Sequence, residues 1–155
     1  MLTVFLRLLL LPFIFLSSVS FAQTLSLTFD DGLNPDKQAQ AQVWNQKIIT
    51  SLNDAGIRAM VFPSLARIGG DRGMDLIMDW AKAGHAVGNH TATHRSLASA
   101  QLTLAEFIAD VAEADAALRH FPTWVPMLRF PYLKEGDTLE KRDGVRSWMK
   151  SNGYR

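Results

Sequence analysis

The 155-residue chain contains no cysteine. That excludes disulfides and thiolate metal sites, and it leaves imidazole and carboxylate as the strong ligands available. The chain also lacks an excess of either charge. Sixteen Lys and Arg face 15 Asp and Glu, for a formal net charge of +1, and no basic block stands out. No nucleic-acid partner is expected from such a balance. With 48% apolar residues and a length suited to one domain, the chain can bury a core.

A long apolar run, Leu8–Leu16, lies at the N-terminus behind Arg7, and the small and polar segment Ser17–Ala22 follows it. Ser20 and Ala22 satisfy the small-x-small rule for signal-peptidase cleavage. Residues 1–22 therefore read as a signal peptide and 23–155 as the mature domain, with Gln23 at its start. The segment is only marginally long enough to span a bilayer, and it contains Pro12. The expectation is a secreted or periplasmic protein with no stable membrane span after cleavage.

Beyond the leader, strand and helix patterns alternate. Thr24–Phe29 is β-prone, with Leu25, Leu27 and Phe29 on one face, and it runs into Asp30-Asp31-Gly32. Asn34-Pro35 looks like a helix start, and Ala41, Trp44, Ile48, Leu52 and Ala55 follow at helical spacing. Ile57–Phe62 is a second strand. Met74, Ile77, Met78 and Ala81 mark a second helix, and His85–Asn89 a third strand. Thr103–Glu106 is a capping box opening a helix with Phe107, Val111, Ala114 and Leu118 inward. Met127–Phe130 is a fourth strand, and a last helix starts near Asp137 or Thr138 with Val145, Trp148 and Met149 inward. Gly56, Gly84 and Gly153 each close a helix. Alternating strand and helix predicts an α/β fold with a parallel sheet, as a barrel or an open doubly wound sheet. Four strands and the start of a fifth do not close a barrel, so the chain reads as cut short.

Three segments carry chemistry. Asp30 and Asp31, adjacent on a strand end, point to opposite sides, so one can hold a metal while the other serves as a base. His90 and His94 lie four apart, which on a helical turn puts both rings on one face. Two imidazoles and a carboxylate leave a position open, as in catalytic rather than structural zinc sites. In Arg129-Phe130-Pro131-Tyr132, the Arg can keep a carboxylate ionised, and Pro131 presents the Tyr132 N–H outward as an oxyanion donor. His85 and His120 have no such partner and read as structural. Trp44, Trp80, Trp124 and Trp148 read as core, with Trp124 the candidate for stacking on a sugar.

In this order and spacing the segments resemble the polysaccharide deacetylases of carbohydrate esterase family four, the NodB-homology domain. The family's Thr-Phe-Asp-Asp-Gly is matched by Thr28–Gly32, its His-Ser/Thr-x-x-His by His90–His94, and its Arg-x-Pro-Tyr by Arg129–Tyr132. The resemblance implies a distorted (β/α) barrel of about seven strands, represented here by its first four strand–helix units. It implies that Asp31, His90 and His94 hold a divalent metal, usually zinc. Asp30 would be the general base that deprotonates the attacking water, Arg129 its partner, and the Tyr132 N–H an oxyanion donor. The implied reaction is hydrolysis of N-acetyl (or O-acetyl) groups on a polysaccharide such as chitin oligomers or peptidoglycan.

The family's two further motifs, an Asp/Trp segment and a Leu-x-His whose histidine protonates the leaving amine, do not occur before Arg155. A missing C-terminal segment is the corresponding expectation, with weak or absent turnover. The alternative is an inactive carbohydrate-binding remnant.

Overall fold

The computed structural model describes residues 25–155. The signal-peptide reading of 1–22 lies outside them, and among the described residues no helix is long and apolar enough to cross a membrane. The element order is β1 Thr28–Asp31, α1 Ala41–Asp54, β2 Met60–Pro63, α2 Leu65–Ile68, α3 Asp71–Lys82, β3 Ala86–Asn89, α4 Leu104–Leu118, β4 Trp124–Leu128 and α5 Leu139–Ser151. All the strand pairings are parallel, in the spatial order β1-β2-β3-β4. Strand order that follows chain order, with no reversal, is how a barrel winds; a doubly wound sheet turns back on itself. The incomplete α/β barrel expected from the sequence is the architecture observed.

β2 is buried on both faces, with Val61 and Phe62 each 1% exposed. Central parallel strands are covered on both sides in this way. One core cluster lies between the sheet and α1, α3 and α4, where Ile49, Leu52, Val61, Ile77, Trp80, Val87 and Leu118 meet. A second packs β4 and α5 onto α4 through Leu97, Phe107, Val111, Leu128, Val145 and Tyr154. Full burial of each such side chain is worth about 1.5–3 kcal/mol. Thr103 caps α4 with the reciprocal capping box, and the Thr138 side chain caps α5.

Several boundaries move. β1 starts at Thr28 and takes in both aspartates, while Leu25 is exposed. Asn34-Pro35 does not start α1. The Asn34 side chain instead accepts from the Asp36 and Lys37 N–H groups in a local turn, and the helix begins at Ala41. The inward stripe of α1 is Ala41, Asn45, Ile49 and Leu52, which leaves Trp44 42% exposed. Asn45 replaces it inside because its amide has two partners, donating to the Leu76 carbonyl and accepting from Trp80 Nε1. β4 begins at Trp124, three residues earlier than expected, and a register shift between Val87 and Asn89 lets it reach Leu128. After α5, the Arg155 N–H donates to the Pro126 carbonyl at 2.9 Å, so the chain starts to pair with β4.

Candidate metal centre

The C-terminal ends of β1, β3 and β4 bring the three sequence segments together, where parallel α/β folds assemble their sites. Asp30 turns toward Arg129, whose Nε lies 3.4 Å from its Oδ1. The same guanidinium donates to Thr28 Oγ1 at 3.2 Å and sits over the Phe62 ring at 4.6 Å. Asp30 is partly exposed, with 39% of its side chain accessible. Asp31 turns the other way: its Oδ1 lies 3.1 Å from His94 Nε2 and 3.8 Å from His90 Nε2. One ligand atom from each of Asp31, His90 and His94 falls within 4.8 Å of the others.

The histidines do not converge through a helical turn. Residues 90–94 form an irregular loop in which Thr91 (φ 67) and His94 (φ 58) adopt left-handed backbone conformations. Side chains hold the loop: Asn89 Oδ1 accepts from the Thr91 N–H at 2.8 Å, Thr91 Oγ1 from the His94 N–H at 3.0 Å, and Asp110 Oδ1 from the Thr93 N–H at 2.9 Å. The imidazole rings meet edge-on with centroids 4.8 Å apart. Asp31 itself sits at φ 69, and Gly32 at φ 83 follows it. A Cβ on Gly32 would lie 2.5 Å from Ile68 Cγ2, so glycine is required there for space as well as for φ.

The ring nitrogens have defined partners. His90 Nδ1 lies 2.7 Å from the Arg129 carbonyl and donates to it, which leaves Nε2 with its lone pair facing Asp31. Outer hydrogen bonds of this kind fix the tautomer of ligating histidines. His94 Nδ1 lies 3.1 Å from Arg67 Nη2. A guanidinium only donates, so this nitrogen accepts, and a cation at Nε2 requires the ring proton to move to Nδ1 and Arg67 to yield. Burial holds the His94 imidazole below its usual range, opposed by Asp31 and reinforced by His90 and Arg67. The ring is therefore neutral at neutral pH.

The donor set fits a divalent metal. Asp31 Oδ1 is buried and accepts no aligned hydrogen bond, while two imidazole nitrogens face it. A buried carboxylate oxygen in that condition has room for a cation as partner, with the Arg67 Nε the nearest one present, at 3.9 Å. Tyr132, at φ 59 and 60% exposed, leans its ring on His94 at 4.9 Å. Together they wall a cavity of about 350 Å³ that also borders Ser96 and Gln101.

Two of the structural readings take definite form. His85 is fully buried, its Nδ1 accepting from the Ala59 N–H, and His120 stacks on Phe121. Trp124 does not serve the site. It begins β4, at the opposite end of the strand from Arg129, and packs against both core clusters. Arg67 went unrecognised in the sequence because no spacing links α2 to the motifs; the register of α2 over the site brings it in.

The polysaccharide deacetylase profile matches residues 20–155. The chain belongs to the polysaccharide deacetylase family. No curated protein matches it significantly. Among solved structures, it is similar to the Bc1960 peptidoglycan N-acetylglucosamine deacetylase (TM-score 0.63, 22% identity), covering 83% of this chain and 53% of that one. It is also similar to the catalytic domain of a peptidoglycan N-acetylglucosamine deacetylase from Eubacterium rectale (TM-score 0.54, 21% identity, 83% and 52% covered). A mutant of a CE4 family pseudoenzyme shares the fold as well (TM-score 0.54, 17% identity, 80% and 41% covered). The chain spans about half the length of the first two.

Proposed function

We propose that this member of the deacetylase family acts through the Asp31, His90 and His94 site, with zinc as the metal, on N-acetyl (or O-acetyl) groups of an exported polysaccharide. The observation that carries the proposal is the convergence of those three ligand atoms beside the Asp30–Arg129 pair. Zinc suits two neutral imidazoles and one carboxylate. Chitin oligomers and peptidoglycan are the substrate classes, and two of the similar structures are peptidoglycan N-acetylglucosamine deacetylases. The leader-like residues 1–22 support a secreted or periplasmic location.

A bound divalent cation supplies Lewis-acid activation of water and of the amide carbonyl. The other roles belong to side chains and one peptide group. Asp30 takes a proton from the attacking water, and Arg129 pairs with its carboxylate and aims it. The Tyr132 N–H, in the left-handed turn after Pro131, is the donor for the oxyanion. His90 and His94 are held in place by the Arg129 carbonyl and by Thr91.

A binding role without turnover is the second reading. Among the described residues the two remaining imidazoles are committed elsewhere, His85 in the core and His120 on Phe121, so neither can protonate a leaving amine. Acetate release from chitin oligomers and from peptidoglycan, with and without added zinc, separates the readings. Under the first, zinc-dependent release is measurable and Asp30→Asn reduces it by about 10²-fold or more while sugar affinity is kept. Sugar affinity with no acetate release at any zinc concentration would leave only the binding role.

A further inference from the structure

A buried chain of hydrogen bonds runs from α4 to the histidine loop and meets the motif residues only at Thr91. Tyr154, 8% exposed, donates its hydroxyl proton to Asp115 Oδ1 at 2.9 Å. The Tyr154 oxygen accepts from Asn89 Nδ2 at 2.9 Å, and the same amide donates its second proton to the Val111 carbonyl at 3.0 Å. Asn89 Oδ1 is thereby left to accept from the Thr91 N–H at 2.8 Å. Arg119 pairs with the outer oxygen of Asp115.

The direction of this chain is not free. An ionised carboxylate only accepts, so Tyr154 must donate to Asp115 and receive from Asn89. Asn89 is completely buried, and both of its amide protons have carbonyl or hydroxyl acceptors. Its amide can therefore not be flipped without placing N–H against N–H at Thr91. Burial raises the Tyr154 hydroxyl above its usual value, which keeps it a donor.

Thr91 is the residue on which the loop turns. It holds φ 67, and its Oγ1 accepts the His94 N–H. Directly beside it, His90 is anchored by its own N–H to the Pro63 carbonyl. The orientation set at Asp115 thus passes through Tyr154 and Asn89 to Thr91 and from the Thr91 hydroxyl to the His94 N–H, while His90 is the residue between Asn89 and Thr91.

We infer that Asp115 and Tyr154 are positioning residues for the metal centre, setting the Asn89 amide and through it the His90–His94 loop. The inference rests on Asp31, His90 and His94 being metal ligands. Outer partners of ligating histidines typically change metal affinity by about 10–100-fold, and Tyr154 and Asp115 act two and three hydrogen bonds beyond the one Thr91 makes to His94.

Cobalt(II) titration of the full chain, followed by its visible absorption, is the test. Tyr154→Phe removes the hydroxyl, and Asp115→Asn keeps size and shape but allows the polarity to reverse. Trp148→Phe, whose ring lies 5.7 Å from Tyr154 in the same cluster, alters packing and leaves the hydrogen bonds in place. The expected result is cobalt affinity about tenfold weaker in Tyr154→Phe and Asp115→Asn, with altered absorption bands, and within about twofold of the parent in Trp148→Phe. Parent-like affinity in both polar variants overturns the inference, as does equal weakening in all three variants in step with lost thermal stability. A parent protein that gives no cobalt spectrum removes the metal-centre reading itself, and the inference with it.

Discussion

The two ends of the sheet use the same unusual backbone conformation for different ends. Where α1, α3 and α5 close, the left-handed position is held by Gly56 (φ 67), Gly84 (φ 82) and Gly153 (φ 74). Where the strands end at the site, it is held by Gly32 (φ 83) and by five non-glycine residues, Asp31, Thr91, His94, Tyr132 and Leu133, all with φ between 57 and 69. Glycine adopts this region at no steric cost, whereas other L-residues lose about 1–2 kcal/mol. At the helix ends the position has only to turn the chain. At the strand ends four of the five residues belong to the three motif segments, where a side chain is kept in spite of the strain. Strain persists at functional sites when the surroundings over-determine it. At Thr91 and His94 the surroundings are the side-chain bonds from Asn89, Thr91 and Asp110.

Asp31→Gly breaks the comparison most sharply. It gives the site end the residue of the helix end, and metal affinity is expected to fall by about 100-fold or more, read by cobalt or zinc titration. The metal-free protein should unfold at an unchanged or higher temperature, because the strained φ is relieved by up to about 1 kcal/mol. A substantial loss of metal-free stability would mean that the Asp31 side chain holds the fold together.

Glycines at the two ends should also respond differently to alanine. Gly32→Ala places a Cβ 2.5 Å from Ile68 Cγ2 at φ 83, and about 3 kcal/mol of stability should be lost in a urea melt. Gly153→Ala, at φ 74 with nothing within 4 Å, should cost about 1 kcal/mol, the conformational term alone.

Acidity provides a milder probe. Burial, then the nearby Arg58, lowers the His85 imidazole, and burial lowers His94. The unfolded chain then takes up protons that the native state refuses, so stability rises with pH in this range. Stability should be intact above about pH 6.5 and fall as acid carries both imidazoles toward their depressed native values. His85→Gln should flatten this slope in thermal melts run from neutral to mildly acidic pH, with the His94 share remaining.

The smallest effect is expected at Leu133, which shares the strained conformation (φ 57) but is 73% exposed. Leu133→Gly should stabilise the protein by up to about 1 kcal/mol, after the entropy cost of glycine is set against the strain relieved. Destabilisation on thermal melting would show that the left-handed turn is not strained at that position.

Local signals carried well from sequence to fold where they depended on neighbouring residues. The Thr103 capping box, the Thr138 start of α5 and the three closing glycines are contacts within a few residues, and each occurs as expected. Signals that depended on packing moved. The stripe of α1 rotated to admit Asn45 and expel Trp44, because partners for the amide come from α3, 31 and 35 residues away. The histidine pair reached one point by a strained loop, in which the Asn89 and Asp110 side chains accept from the Thr91 and Thr93 N–H groups.

The sequence by itself determined the alternation of strand and helix, the membership of the three motifs and the chemistry open to a chain without cysteine. These follow from residue type and short spacing. The tertiary structure alone decided that Asp30 turns to Arg129 while Asp31 turns to the histidines, that Arg67 stands against His94, and that Tyr154 orients Asn89. Those relations join residues tens of positions apart, and only the register of parallel strands and the packing of α2, α4 and α5 on the sheet bring them within hydrogen-bond reach.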